Sequence, residues 1–202
     1  MKSLTRLQKT VLVLSTLSAL VGVLSCKGPA PTAPKTTLAD FYITTQVAGW
    51  VMASNSPLVI LPVENLYHAV DGDAALYQNA GLENWFIEYM YGGSTHTDTS
   101  GDYDFNGYIE EYGSGASAKA IFDKITAVHV IQNSLDTTFS DTVPLAGFSL
   151  AEAQAVRVQG GIDVYATFDK YFFSLEFTGY ADPTTAAPDA VKFLTAYKAL
   201  AQ

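Results

Sequence analysis

The chain has 202 residues, 49% hydrophobic and 15% charged, which suits one folded domain behind a leader and excludes a disordered protein. Three of the 11 basic residues (Lys2, Arg6, Lys9) and none of the 20 acids precede Cys26, so the remainder carries 8 positive charges against 20 negative, a net of −12. A surface that acidic repels phosphate backbones and anionic headgroups, which excludes nucleic acid as a partner and makes membrane contact depend on an anchor.

Met1 to Lys9 is short and basic, and Thr10 to Leu24 is apolar and uncharged. About 15 residues of helix at roughly 1.5 Å each fall short of the ~30 Å hydrocarbon core, so the pattern is that of a signal peptide rather than a span. The segment ends Val23-Leu24-Ser25-Cys26, which resembles the lipobox of bacterial lipoproteins. That resemblance implies cleavage between Ser25 and Cys26, a diacylglycerol on the Cys26 sulfur, and a lipid bilayer as the first partner. Cys26 is the one cysteine, so it offers neither an internal disulfide nor a metal cluster. Lys27 to Thr37 holds three prolines and no large apolar side chain, and so reads as an extended tether. Lys27 in place of an acid after the cysteine favours the outer membrane over inner-membrane retention. The expected organisation is a signal peptide over 1–25, a tether over 26–37 and a single domain over 38–202.

Within the domain, Val47 to Ala53 predicts a strand around Trp50. Leu66, Val70, Ala74 and Tyr77 recur at helical spacing and predict a helix over Val63 to Ala80, weakened at Gly72 and ended by Gly81. Trp85, Ile87, Tyr89 and Tyr91 alternate with Phe86, Glu88 and Met90, the pattern of a strand. Gly92 to Gly101 is a polar loop, and Asp102 to Tyr112 resumes as strand. Ser114 opens a small-residue helix to about Val128, with Ile121, Phe122 and Ile125 inward. Gln132 to Ser149, rich in Asp, Ser and Thr, reads as loop. Ala153 to Gln159, Ile162 to Phe168 and Tyr171 to Thr178 are strands joined by Gly160-Gly161 and Asp169-Lys170, which predict antiparallel hairpins. In the last of them Tyr171, Phe173, Leu175 and Phe177 form an apolar face and Ser174, Glu176 and Thr178 the opposite one. Asp189 to Leu200 closes the chain as a helix with Val191, Leu194 and Tyr197 on one side. No βαβ alternation or phosphate-cradling loop stands out, so the expected fold is α+β: an antiparallel sheet packed with about three helices.

Two stretches resemble a family of uncharacterised secreted bacterial proteins. Asn65-Leu66-Tyr67-His68-Ala69-Val70-Asp71-Gly72-Asp73-Ala74-Ala75-Leu76-Tyr77, running on to Gly81, is similar to that family's N-L-Y-x-x-I-D-G-x-A-x-L-Y segment before an aromatic strand. Gly113 to Phe122 resembles its small loop and following helix, with Lys119-Ala120 departing from the usual glycine before the aromatic. The Ile162 to Phe177 hairpin fits the family's late aromatic strands. The resemblance implies a fold and an exported address; the family brings no established activity.

Asp102, Asp104 and Asn106 followed by Gly107 and Ile109 match the first half of an EF-hand loop, whose oxygen-rich spacing suits calcium. The twelfth place is Gly113 instead of a bidentate Glu, and no helix pattern precedes Asp102, so a polar-edged strand explains the residues better. His68, Asp71 and Asp73 fall within one turn of a predicted helix, where an acid–base or metal role competes with helix capping. His96 and His129 have no companions at ligand spacing. No nucleophile elbow occurs, and Glu110 and Glu111 point to opposite faces of a strand, where they cannot flank one bond. These residues predict a non-enzymatic, cofactor-free binding or accessory lipoprotein of the cell envelope, on the periplasmic face or in the outer membrane, with an envelope protein as a possible partner. A periplasmic hydrolase and a calcium-binding module are the alternatives.

The anchor has a direct test. Inhibiting the lipoprotein signal peptidase should accumulate the precursor, and Cys26→Ser should move the protein out of the membrane fraction. A Cys26→Ser protein that stays membrane-bound and normally processed would refute the lipobox reading.

Overall fold

The computed structural model describes residues 35–43, 47–68, 74–92, 103–135 and 142–202, and of these Thr36 to Gln202 form one compact unit. Eight strands are named in chain order: β1 (Trp50–Met52), β2 (Leu61–Pro62), β3 (Leu82–Gly92), β4 (Phe105–Tyr112), β5 (Thr142–Val143), β6 (Ala153–Val158), β7 (Gly161–Phe168) and β8 (Tyr171–Phe177). The helices are α1 (Ala74–Ala80), α2 (Gly115–Leu135) and α3 (Ala187–Leu200), with 3-10 turns at Leu38–Phe41, Val63–His68 and Pro183–Ala186. All eight strands join one antiparallel sheet in the order β1-β3-β4-β8-β7-β6-β5, with β2 beside β1 on the outer edge of β3. The architecture is therefore α+β, as the alternating patterns require.

The two hairpins form at the predicted turns. Asp169-Lys170 is a two-residue turn closed by Phe168↔Tyr171, with Asp169 at φ 50°, a conformation aspartate tolerates better than most residues. Gly160 stands at φ 77° in the turn closed by Val158↔Gly161. Elsewhere the boundaries differ from the sequence reading. The strand predicted over Val47 to Ala53 is reduced to β1. The predicted helix over Val63 to Ala80 is a 3-10 turn and the separate α1, with Ala69 to Asp73 outside the described residues. The helix after Ser114 runs on to Leu135, seven residues beyond the expected end. Its start is as predicted: the Ser114 hydroxyl accepts the Ser117 N–H at 3.2 Å. β2 and β5 escaped notice because two residues carry no alternation to detect.

Alternation divides the sheet into two faces. One carries Phe86, Met90, Phe105, Ile109, Val164, Phe173, Leu175 and Phe177, all buried. α3 lies on this face through Ala190, Phe193, Leu194 and Tyr197, which keeps Leu194 and Tyr197 of the predicted stripe and adds Ala190 and Phe193, with Val191 partly buried at its margin. Its aromatic rings interlock with those of the sheet: Phe193 stacks on Phe105 at 4.3 Å and Tyr197 on Phe173 at 4.7 Å. Truncating a ring so placed typically costs about 3–5 kcal/mol. The opposite face is covered along part of its length by α2, whose Ala118, Ile121 and Phe122 pack with Leu82, Trp85, Tyr112, Tyr165 and Phe172.

Each face also buries a carboxyl group. Glu88 is fully enclosed beneath α3, where its Oε1 accepts the Tyr197 hydroxyl and its Oε2 the Ile43 N–H at 3.3 Å. Glu110 is 3% exposed on the other face and accepts the Tyr112 hydroxyl at 2.6 Å. Among the described residues no cation pairs with either, and burial pushes both up to about 8 against the restraining tyrosine bonds. The folded protein therefore holds two protons that the unfolded chain releases above the ordinary carboxyl range near 4.5. Stability should fall as pH rises from about 5 to 8, by roughly 1 kcal/mol per pH unit for each group. Thermal unfolding followed at pH 5, 6, 7 and 8 should show Tm declining steadily, and Glu88→Gln should flatten the decline. A Tm that rises over this interval contradicts the assignment.

Candidate functional site

Among the described residues, α1 and α2 leave part of their sheet face uncovered, and a cleft lies there. Strand pairing builds it in two rows. Tyr89 on β3 pairs with Asn106 on β4, Asn106 with Glu176 on β8, and Glu176 with Asp163 on β7. The next row is Ile87, Tyr108, Ser174 and Tyr165. Paired residues in antiparallel neighbours project from the same face with Cβ atoms about 5 Å apart, so each row presents a continuous line of side chains. Tyr103 folds over the end of the first row and stacks on Tyr89 at 4.5 Å. It is fixed there by Asn55, whose amide donates to its hydroxyl at 2.7 Å, and by the Thr178 hydroxyl, which donates to its carbonyl at 2.7 Å.

The cleft has two connected parts. The larger, of about 430 Å³, is lined by Tyr89, Tyr103, Asp104, Asn106, Glu176, Thr178 and Gly179. The smaller, of about 200 Å³, is lined by Asn106, Tyr108, Asp163, Tyr165, Ser174, Leu175 and Glu176. Asn106 and Glu176 belong to both, so they mark the junction. The Asn106 Oδ1 is buried and accepts no hydrogen bond. An acceptor left in that condition costs about 1–3 kcal/mol, which a ligand donor would recover.

Among the described residues, the lining is acidic and contains no Lys, Arg or His. Asp163 is pushed up to about 7, first by burial and then by the negative charge of Glu176, with the Tyr165 hydroxyl bond pulling the other way. Asp104 is 9% exposed, and its Oδ2 accepts the Gly92 N–H at 2.9 Å, tying the end of β3 to the start of β4.

The sequence candidates are distributed unevenly over this geometry. Asp104 and Asn106 both line the cleft, on the same face, as their spacing of two along a strand dictates. They arrive there at the start of a strand paired on both sides, not wrapped in an EF-hand loop. Gly107, matched to the glycine of that loop, has another use. A Cβ there would meet the Phe105 ring at 2.7 Å, so the glycine lets the ring lie flat over β4 and stack under α3. Asp102, Asp71, Asp73, His96, Ser25 and Cys26 lie outside the described residues, and His68 is placed only by its backbone. Among the described residues, no group of three or more His, Cys, Asp or Glu side chains is positioned to hold a metal ion. Glu110 and Glu111 do point to opposite faces: Glu111 pairs with Lys170 while Glu110 is buried with Tyr112.

The Asp163–Glu176 pair was missed. Its signal was present in the two-residue turn at Asp169-Lys170, since counting back from Phe168↔Tyr171 places Asp163 opposite Glu176. The meeting of Glu176 with Asn106 left no such local signal, because β4 and β8 are brought together from distant parts of the chain.

No protein-family model matches the chain, and no curated protein matches it. Among solved structures it is similar to the extracellular domain of PknH from Mycobacterium tuberculosis, at 12% identity and a TM-score of 0.35, over 74% of this chain and 82% of that one. A likeness that distant transfers no site.

Because the charge of Glu176 contributes to the elevated position of Asp163, Glu176→Gln should lower the Asp163 midpoint while leaving it above the ordinary carboxyl range. Carboxyl-resolved NMR titration between pH 4 and 9 reads this directly. An unchanged midpoint would show the two groups to be electrostatically independent.

Proposed function

We propose that this chain is an exported lipoprotein of the cell envelope, held by acylated Cys26, whose folded domain is a non-enzymatic module that binds a ligand in the cleft over β3, β4, β8 and β7. The address is supported by the basic start, the short apolar run and the Val23-Leu24-Ser25-Cys26 ending. Binding is carried by one observation: the Asn106 Oδ1, buried and without a donor, stands where the two parts of the cleft join. An apolar side chain would serve a purely structural position there at less cost.

Binding suits the geometry better than bond cleavage. Asp163 and Glu176 project side by side from neighbouring strands, so they present two acceptors to one donor group instead of flanking a scissile bond. The tyrosines add flat, amphipathic contact surface, well suited to holding a small molecule.

The reading predicts that Asn106→Leu, equal in branching and heavy-atom count, abolishes binding without harming the fold. Ligand-observed NMR of the protein with the small-molecule fraction of the cell envelope should show saturation transfer to a component. The signal should vanish for Asn106→Leu while its Tm is equal to or above that of the parent. Identical spectra for the two proteins would remove the cleft from consideration.

A further inference from the structure

The composition of the cleft specifies the charge of what it receives. We propose that it binds an organic cation, a primary ammonium or guanidinium group, which donates hydrogen bonds to the Asp163 and Glu176 carboxylates and to the Asn106 Oδ1 beside the rings of Tyr89 and Tyr103. The inference rests on the binding role proposed above and assigns its ligand class.

Four observations converge. First, Asp163 in the smaller part and Glu176 at the junction are paired acids, and the Asn106 Oδ1 beside them is an acceptor, so the matching ligand is a donor bearing positive charge. Second, among the described residues ion pairs join Lys119 to Asp123, Lys170 to Glu111, Lys192 to Asp189 and Lys198 to Glu152, and none of these lysines lines the cleft. Third, the walls are aromatic: Tyr89, Tyr103, Tyr108 and Tyr165 line the two parts. The negative face of a phenol ring attracts an organic cation, whereas a hard divalent ion asks for six to eight oxygens and gains nothing from a ring. Fourth, about 430 Å³ is far more room than a bare ion fills and suits a molecule carrying its charge at one end. The excess of acid over base along the chain after Cys26 further raises the local concentration of cations.

The pH dependence follows from the same geometry. Among the described residues, the groups facing Asp163 are Glu176 from β8, Tyr165 from its own strand, Tyr108 from β4 and, from β6, the apolar Val156. Asp163, held up to about 7, must release its proton to pair with a cation. Affinity should therefore rise about tenfold from pH 6 to pH 8, with a proton released on binding below pH 7.

The test is calorimetric titration of the full chain in a non-ionic detergent with spermidine, L-arginine amide, calcium chloride and a neutral disaccharide. Fluorine NMR of 3-fluorotyrosine-labelled protein reports on the cleft rings in the same samples. The expected result is saturable binding of spermidine or arginine amide that shifts tyrosine signals and strengthens with pH. Glu176→Gln should weaken it at least fivefold, and Asp163→Asn with Glu176→Gln should abolish it. Glu176 is exposed, so its replacement should leave Tm unchanged, and Leu150→Ser, at a site 71% exposed and away from the cleft, should bind like the parent. Equal cation binding by the double variant overturns the proposal, as does calcium displacing both organic cations from the same tyrosines. Tyrosine shifts with the disaccharide or the envelope fraction but not with the cations also overturn it, while leaving the binding role standing. Silence from every probe and from the envelope fraction defeats both.

Discussion

The register in which β8 pairs with β4 on one side and β7 on the other governs both halves of this molecule. It sets Phe173, Leu175 and Phe177 against α3, and Ser174 and Glu176 towards the cleft. A slip of one residue would turn every one of these side chains to the other face, placing Glu176 under the helix and Phe177 in water. The apolar layer beneath α3 therefore fixes the polar row on the reverse side. The cleft is positioned by packing that it does not itself contribute to.

Placing acids inside an aromatic core is costly, and the protein meets that cost with tyrosine hydroxyls instead of cations. Tyr197 serves Glu88 and Tyr112 serves Glu110, each as a neutral donor to a carboxyl that burial keeps protonated. The Glu88 contact also ties three separate segments together: β3, α3 and the chain at Ile43. Asp189 is treated differently. It lies in the first turn of α3, where the Tyr180 hydroxyl is joined by a lysine, Lys192, at 2.6 Å. The difference follows depth: a mostly exposed ammonium can reach Asp189, whereas one beneath the helix would itself need to be desolvated.

Cleft and core thus use the same residue types to opposite ends. In the core each carboxyl is matched to a donor from the protein. In the cleft, the Asp163–Glu176 pair and the Asn106 oxygen bring acceptors together faster than the surrounding residues bring donors. Asp163 is held above the ordinary carboxyl range first by burial and then by the charge of Glu176 beside it.

Local periodicity carried the sequence reading where an element could be recognised within a few residues. The alternation from Trp85 to Tyr91, the Gly160-Gly161 and Asp169-Lys170 turns and the helical stripe of the last helix each encode their own structure, because side-chain period and turn chemistry are local properties. That was enough for the α+β class, for the strands of the late hairpins, for the alternation of β3 and for the division of β8 into apolar and polar faces. It also supplied Asp104 and Asn106, although as a calcium pattern. The sequence could not decide the order of strands, since β4 reaches β8 across α2, β5, β6 and β7. Nor does local pattern mark the 3-10 turn at Val63–His68 apart from α1, or place the end of α2 at Leu135, because residue propensity there is weak. The cleft draws on both categories. The Asp163–Glu176 pair follows from the local turn between β7 and β8, whereas only the long-range pairing of β4 with β8 sets Asn106 beside Glu176 at the junction.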